Sequence, residues 1–273
     1  MKPFIAIAAG CFLCVPAALA ADAPVKAPAL IAVIIDDLGN TTLEEGRRVA
    51  ALPGPVACAI LPHTTHGVLI AKLAHKAGKE VLLHLPLEPV GELPLGPGAV
   101  TLDMTEQEIK DTVRDDLLAI PHVTGFNNHE GSLITQHPGD MAWIMQAVHA
   151  AGAYFYIDSY TTTESVAYQV AREQGVPAAR RNVFLDDENT VESVRAQWAR
   201  LLKIAREHGF AIAIGHPRGA TLTVLEDELP QLAAQGVELV PVARIVALQE
   251  AHPLPPVVTI TSAPQATTNQ KKK

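Results

Sequence analysis

Cysteine is almost missing from this sequence. Of three in 273 residues, Cys11 and Cys14 fall within the first twenty, which leaves Cys58 alone in the remainder. One cysteine makes no internal disulfide, so an apolar core, helped by any bound metal, must hold the fold. Cys58 sits in an apolar run and reads as a buried thiol rather than a nucleophile. Aromatic residues are scarce too, at 4% against 48% hydrophobic residues overall. Ala, Val, Ile and Leu carry the apolar load, which points away from an aromatic-rich sandwich and toward helices packed closely on a sheet. Positive charge is also short: the formal net charge is −8, and the lysines at 271–273 form only a brief terminal run. Without a basic stripe interleaved with aromatics, nucleic acid is excluded as a partner, and the acidic balance disfavours anionic lipid. No glycine-rich phosphate loop follows the first strand, since Asp36-Asp37-Leu38-Gly39-Asn40 is not GxGxxG.

What is present begins with an export pattern. Lys2 precedes an apolar run over residues 4–15, and Ala18-Leu19-Ala20 supplies a small-x-small cleavage site. The run is shorter than the ~20 residues a spanning helix needs. Residues 1–20 are therefore expected to be a cleavable signal peptide, giving a periplasmic or secreted protein with no stable membrane span after processing. Residues 21–29 read as an Ala/Pro linker, 30–250 as one folded domain, and 251–273 as a disordered Pro/Thr/Gln-rich tail.

Within the domain one pattern recurs: an Ala-rich helical stretch ends near a glycine, and a short β-rich run follows. Gly78, Gly152, Gly175, Gly209 and Gly236 mark five such joints. His75, His149 and His208 fall in the last helical turns, where a cation suits the helix dipole, and are assigned structural roles. Together with LIAVIID (30–36), PVACAIL (55–61) and HVTGFN (122–127), the runs make eight candidate strands. They are apolar throughout, as strands covered on both faces are. The expected fold is a deformed (β/α) barrel of seven to eight mostly parallel strands, with an open doubly wound sheet as the alternative. The proline-rich stretch 85–103 forms a long loop. Thr42 with Glu45, and Thr105 with Glu108, have capping-box spacing.

The strand ends carry the chemistry. They read Asp36-Asp37, Pro62-His63, His84 with Glu88 beyond it, Asn127-Asn128-His129, Asp158-Ser159, Asp186-Asp187 and His216-Pro217-Arg218. In a parallel barrel these ends converge on one rim, where active sites lie. Histidine and aspartate together suit zinc or a similar divalent ion. Two adjacent carboxylates can divide the work between metal ligand and base, and His216, on another strand, can protonate a leaving group. His63 and His66 are set aside as belonging to a helix N-terminus. Asp186-Asp187 reads as a solvated helix cap. Asn128, Asp158 and Arg218 are the expected substrate contacts.

The segments IAVIIDDLGN (31–40), LHLPLEP (83–89), GFNNHEGSLIT (125–135), YFYIDSYT (154–161) and AIGHPR (213–218) together resemble the divergent polysaccharide deacetylases. The resemblance spans roughly 30–246. It implies a deformed barrel, a divalent metal (zinc), an acetylated glycan or polysaccharide substrate, and deacetylation. It implies that Asp36 is the base, Asp37 and His84 metal ligands, and His216 the acid. The ordinary family's His-x-x-x-His reads here His84-Leu85-Pro86-Leu87-Glu88, and Asn127-Asn128-His129 stands where Arg-Pro-Pro-Tyr is usual. The third ligand is thus expected to be His129, with Glu88 as the alternative.

Overall fold

The computed structural model describes residues 27–152 and 154–254. The expected signal peptide, most of the linker and the tail from 255 onward lie outside the described residues. β1 (Ala29–Leu38) leads to α1 (Leu43–Ala51), β2 (Ala57–Ile60), α2 (Gly67–Lys76), β3 (Val81–Leu87) and α3 (Glu106–Ala119). Next come β4 (Val123–Glu130), α4 (Pro138–Ala151), β5 (Phe155–Asp158), α5 (Ala167–Glu173), β6 (Ala178–Arg180) and β7 (Val183–Phe184). α6 (Val191–His208), β8 (Phe210–Gly215), α7 (Gly219–Glu228), β9 (Val237–Leu239) and α8 (Val242–Ala251) finish the described chain. Both expected capping boxes form, at Thr42 and Thr105. Gly78, Gly175, Gly209 and Gly236 take the positive φ that a helix end asks of glycine.

All strand pairs are parallel, in the order β6-β5-β4-β3-β2-β1-β8-β7, with β9 also on β1. The two ends of that path are separated in the chain only by Arg181 and Asn182. Edges tied by two residues must meet, so the sheet curls into a barrel. The partner changes between those two residues: Arg181 N–H donates to Asp158 O (3.1 Å) on β5, and Asn182 N–H to Ile212 O (2.9 Å) on β8. The Asn182 side chain also accepts from Ile212 N–H (2.8 Å). The run after Gly175, read as one strand, is therefore two. The barrel is deformed because its closure there is covalent, with no hydrogen-bond ladder between β6 and β7.

Side chains alternate along each strand and divide the core in two. Ala32, Ile34, Ala57, Ala59, Leu82, Ile157, Ile212 and Ile214 fill the interior, together with Val242, Ile245 and Val246 of α8. α8 lies across the strands' N-terminal ends, where Glu80, just before β3, accepts from Val242 N–H (2.5 Å) and Ala243 N–H (3.2 Å). The opposite face of the same strands, including Ile31, Val33, Ile35, Leu83, Leu85 and Phe126, packs on the outer helices. Cys58 belongs to this outer core, and burial pushes its thiol up to about 12, which makes it inert. The interior is narrow: a Cβ on Gly125 would fall 2.6–2.7 Å from the Phe155 ring.

Replacing Asn182 by alanine orphans the Ile212 N–H at the closure point. Stability should fall by about 1 kcal/mol, read as a lower urea midpoint at unchanged slope.

Candidate functional site

The interior rows continue past the last apolar layer into polar residues. Two positions beyond Ile34 stands Asp36, beyond Leu82 His84, beyond Ile157 Ser159, and beyond Ile214 His216. On β4, Asn127 and His129 follow Gly125 at the same spacing. Period-two alternation alone thus stacks these groups at the C-terminal mouth of the barrel. Asp36, His84 and Asn127 are buried.

Asp37 ought to face outward by the same rule. It does not, because β1 carries a bulge. Ile35 pairs Cys58 and Leu38 pairs Ile60, so three steps along β1 match two along β2. Asp37 takes φ 58° at this point. The left-handed backbone turns its carboxylate into the cavity beside that of Asp36, at a cost of about 1 kcal/mol or more for a residue with a Cβ.

Three donor atoms then converge. Asp37 Oδ1 lies 3.2 Å from His84 Nε2 and 3.0 Å from His129 Nδ1, and the two ring nitrogens are 3.2 Å apart. Ligands held about 2.0–2.1 Å from zinc in a tetrahedral site stand about 3.3 Å from one another, so the triangle has the right size. The lone pairs are aimed as a ligand set requires. Asn127 spends its amide N–H groups on Asp36 Oδ1 and Oδ2 (2.9 and 3.1 Å), so its carbonyl oxygen faces His84 Nδ1 (2.9 Å). His84 therefore donates from Nδ1 and keeps the Nε2 lone pair free. Asp37 Oδ1 is buried without a hydrogen bond. Lone pairs gathered this closely require positive charge among them, and a divalent ion fits. With no ion bound, burial pushes the Asp37 carboxyl up, but hydrogen bonds and positive charge from His129 and His84 outweigh it and hold the group well below its ordinary value, the place of those protons being what a cation would take. For Asp36 burial prevails over His84, His216 and Asn127, and its carboxyl is raised.

His216 faces this triangle from β8, its Nε2 3.6 Å from Asp37 Oδ2. Its Nδ1–H donates to Asp186 Oδ1 (2.9 Å). Asp186 Oδ2 accepts from His216 N–H (2.7 Å) and Thr221 Oγ–H (2.7 Å). Asp186 is fully buried, which corrects its reading as a solvated cap. Thr190 alone caps α6, leaving Asp186 to orient the histidine. Burial pushes the His216 ring down, yet the Asp186 hydrogen bond and the surrounding carboxylates raise it above its ordinary value.

The cavity above these groups measures about 870 Å³. Asp36, Asp37, His84, His129, His216 and Arg218 all line it, so the structure brings together most of the residues singled out from sequence. Others differ. Asn128 borders the cavity, but its amide is occupied by Tyr156 Oη–H, Ser159 N–H and Glu130 O. Asp158 is fully buried and lines no part of it; the carboxylate holds Tyr160 N–H (2.9 Å), Ser165 Oγ–H (3.0 Å) and Arg180 (3.5 Å). Glu88 turns away from the donors to accept Leu102 N–H (2.7 Å), anchoring the proline-rich loop. The stretch 85–103 contributes no lining residue, whereas Ser159, Tyr160 and Thr161 do. His63 pairs with Asp116 outside the cavity, and His75, His149 and His208 stand in the last turns of their helices. Of the two orienting groups, Asn127 is passed over in the sequence and Asp186 is taken there for a cap. Asn127 was within reach, since it precedes His129 by two on the same strand face.

A model of the family described as divergent polysaccharide deacetylase matches residues 33–246. The chain is 38% identical over 210 residues to the uncharacterized protein YibQ of Escherichia coli K12, covering 77% of this chain and 65% of that one. It thus spans about two thirds of that relative's length. An uncharacterized protein of Haemophilus influenzae is 33% identical over 239 residues, with 88% of this chain and 84% of the relative covered. Among solved structures, an uncharacterized protein of Agrobacterium tumefaciens C58 superposes with a TM-score of 0.75 at 22% identity, covering 81% of this chain and 89% of that one. A mutant of a Bacillus anthracis protein described as a CE4 family pseudoenzyme gives 0.50 at 14%, covering 80% and 67%. These two likenesses concern the fold. No helix among the described residues is long and apolar enough to cross a membrane.

The bulge makes an unusual forecast. At position 37 glycine should be more stable than alanine by about 1 kcal/mol, because only glycine takes positive φ freely. Metal-free Asp37→Gly and Asp37→Ala compared by chemical denaturation read this directly, since both lose the carboxylate. Equal midpoints would refute the strain.

Proposed function

This chain belongs to the divergent polysaccharide deacetylase family, and from that premise we propose that it is a metal-dependent hydrolase removing acetyl groups from an envelope or extracellular polysaccharide. The observation that carries the reading is the triangle of Asp37 Oδ1, His84 Nε2 and His129 Nδ1 with its buried, unpartnered oxygen. These three residues would hold a divalent ion, zinc by the character of the donors. Such an ion, when bound, polarises an acetyl carbonyl and makes water more acidic.

The remaining roles fall to the chain's own groups. Asp36, raised by burial and held in place by Asn127, takes a proton from the attacking water as the new carbon–oxygen bond forms. His216, kept protonated by Asp186, gives its Nε2 proton to the departing nitrogen or oxygen as the old bond to the acyl carbon breaks. Base and acid thus stand on neighbouring strands, β1 and β8, facing one cavity. The export pattern at residues 1–20 supports placing the protein in the periplasm or outside the cell. A second reading, a glycan-binding or envelope-assembly protein without turnover, draws support from Glu88 standing where the ordinary motif has histidine.

Asp36→Asn separates the two. The variant should retain one zinc per chain by elemental analysis while acetate release from acetylated glycan drops at least about a hundredfold. Metal binding with no acetate release from the unmodified protein favours the second reading. A further variant, Asp186→Asn, removes what raises His216. The acid must be protonated, so the alkaline limb of kcat/KM should move to lower pH. An unmoved limb would deny His216 the acid role.

A further inference from the structure

We propose that the glycan bound here carries an anionic group, a carboxylate or phosphate, held by Arg181, Arg200 and Arg218. The inference rests on the glycan reading above and adds the substrate's charge to it.

All three arginines line the cavity that holds Asp37 and His84. They come from three places: Arg181 from the gap between β6 and β7, Arg200 from α6, and Arg218 from the turn after β8. Arg48, Arg114, Arg172, Arg180, Arg195 and Arg244 each pair with a carboxylate. Among the described residues none of the three cavity arginines has such a partner, although Glu130 and Asp187 border the same space. Among the described residues Arg47 and Arg206 also lack a carboxylate partner, but they lie outside this cavity.

Two of them are fixed in place. Arg181 Nε–H donates to Ser159 O (2.6 Å) and its Nη2 to Tyr160 O (2.9 Å), while Phe184 lies 5.0 Å beneath the guanidinium. Arg218 Nη1 donates to Asp186 O (2.5 Å). A guanidinium has five N–H donors, so carbonyl anchoring orients these groups and leaves donors unspent. Arg200 makes no hydrogen bond among the described residues. Burial pushes the pKa of Arg181 below its ordinary value, Asp158 and Asp36 oppose the shift, and the like charge of Arg200 adds to it. Two cations anchored on neutral carbonyls, with a third left free beside them, form an anion receptor in waiting: one bound carboxylate or phosphate takes up the free donors.

The test uses the zinc-loaded Asp36→Asn chain, which binds without turning over, and isothermal titration calorimetry. Neutral N-acetylchitopentaose is compared with a hyaluronan hexasaccharide for the carboxylate arm. N-acetylglucosamine is compared with its 6-phosphate for the phosphate arm. At least one anionic member should bind about tenfold or more tightly than its neutral counterpart, with the preference shrinking between 50 and 500 mM NaCl. Adding Arg200→Ala should remove most of the preference, Arg200→Lys should restore part of it, and zinc content should stay at the parent value in both. Equal affinity for neutral and anionic partners overturns this proposal and leaves the glycan reading standing. Binding of none of the four overturns the glycan reading and this proposal with it.

Discussion

A parallel strand alternates its side chains, and β1 suspends that alternation for one residue at Asp37. Everything at the mouth of the barrel depends on the interruption. With regular pairing, Asp36 would face the interior and Asp37 the helices, and the donor triangle would lose its carboxylate. The extra residue between Ile35 and Leu38 brings both to one side. They then acquire opposite characters from their neighbours. Asp37 sits between two imidazoles and is held ionised; Asp36 is sealed beneath Asn127, and burial raises it. One strained peptide unit thus sets two adjacent carboxyl groups on opposite sides of their ordinary ionisation.

The rest of the site is orientation. Two of the three imidazole rings at the mouth are held through the far nitrogen: His84 by Asn127, His216 by Asp186. Such outer contacts fix tautomer and direction together. The closure of the barrel wall also serves the site, since Arg181 and Asn182, which join the two ends of the sheet, both line the cavity.

Much of this was legible in the sequence, for a definite reason. Runs of apolar residues ending in Asp, His or Asn locate strand termini, and parallel topology sends those termini to one rim. Asp36, Asp37, His84, His129 and His216 followed from that logic. What escaped it was whatever depends on partners distant in the chain. Asp186 looked like a helix cap because Asp-Asp-Glu-Asn-Thr is what caps look like; its real partners, His216 and Thr221, are 30 and 35 residues away. Asp158 and Asn128 stand at strand ends as expected, but the loop from Ser159 folds over them and takes their hydrogen bonds. The division of the run after Gly175 into two strands was hidden for the same reason, since only the neighbours, β5 and β8, distinguish its halves.

The span of these contacts bears on how the molecule assembles. The hydrogen bond from Asn127 to Asp36 bridges 91 residues, and the three converging donors belong to β1, β3 and β4. Contacts so far apart in sequence form late, after loop entropy has been met by the surrounding sheet. An ion has no ready-made pair of ligands in the unfolded chain, in contrast to a zinc finger, whose ligands are neighbours. Any ion that binds here would thereby be excluded as a folding nucleus, and occupancy of the site would report a barrel that has already formed.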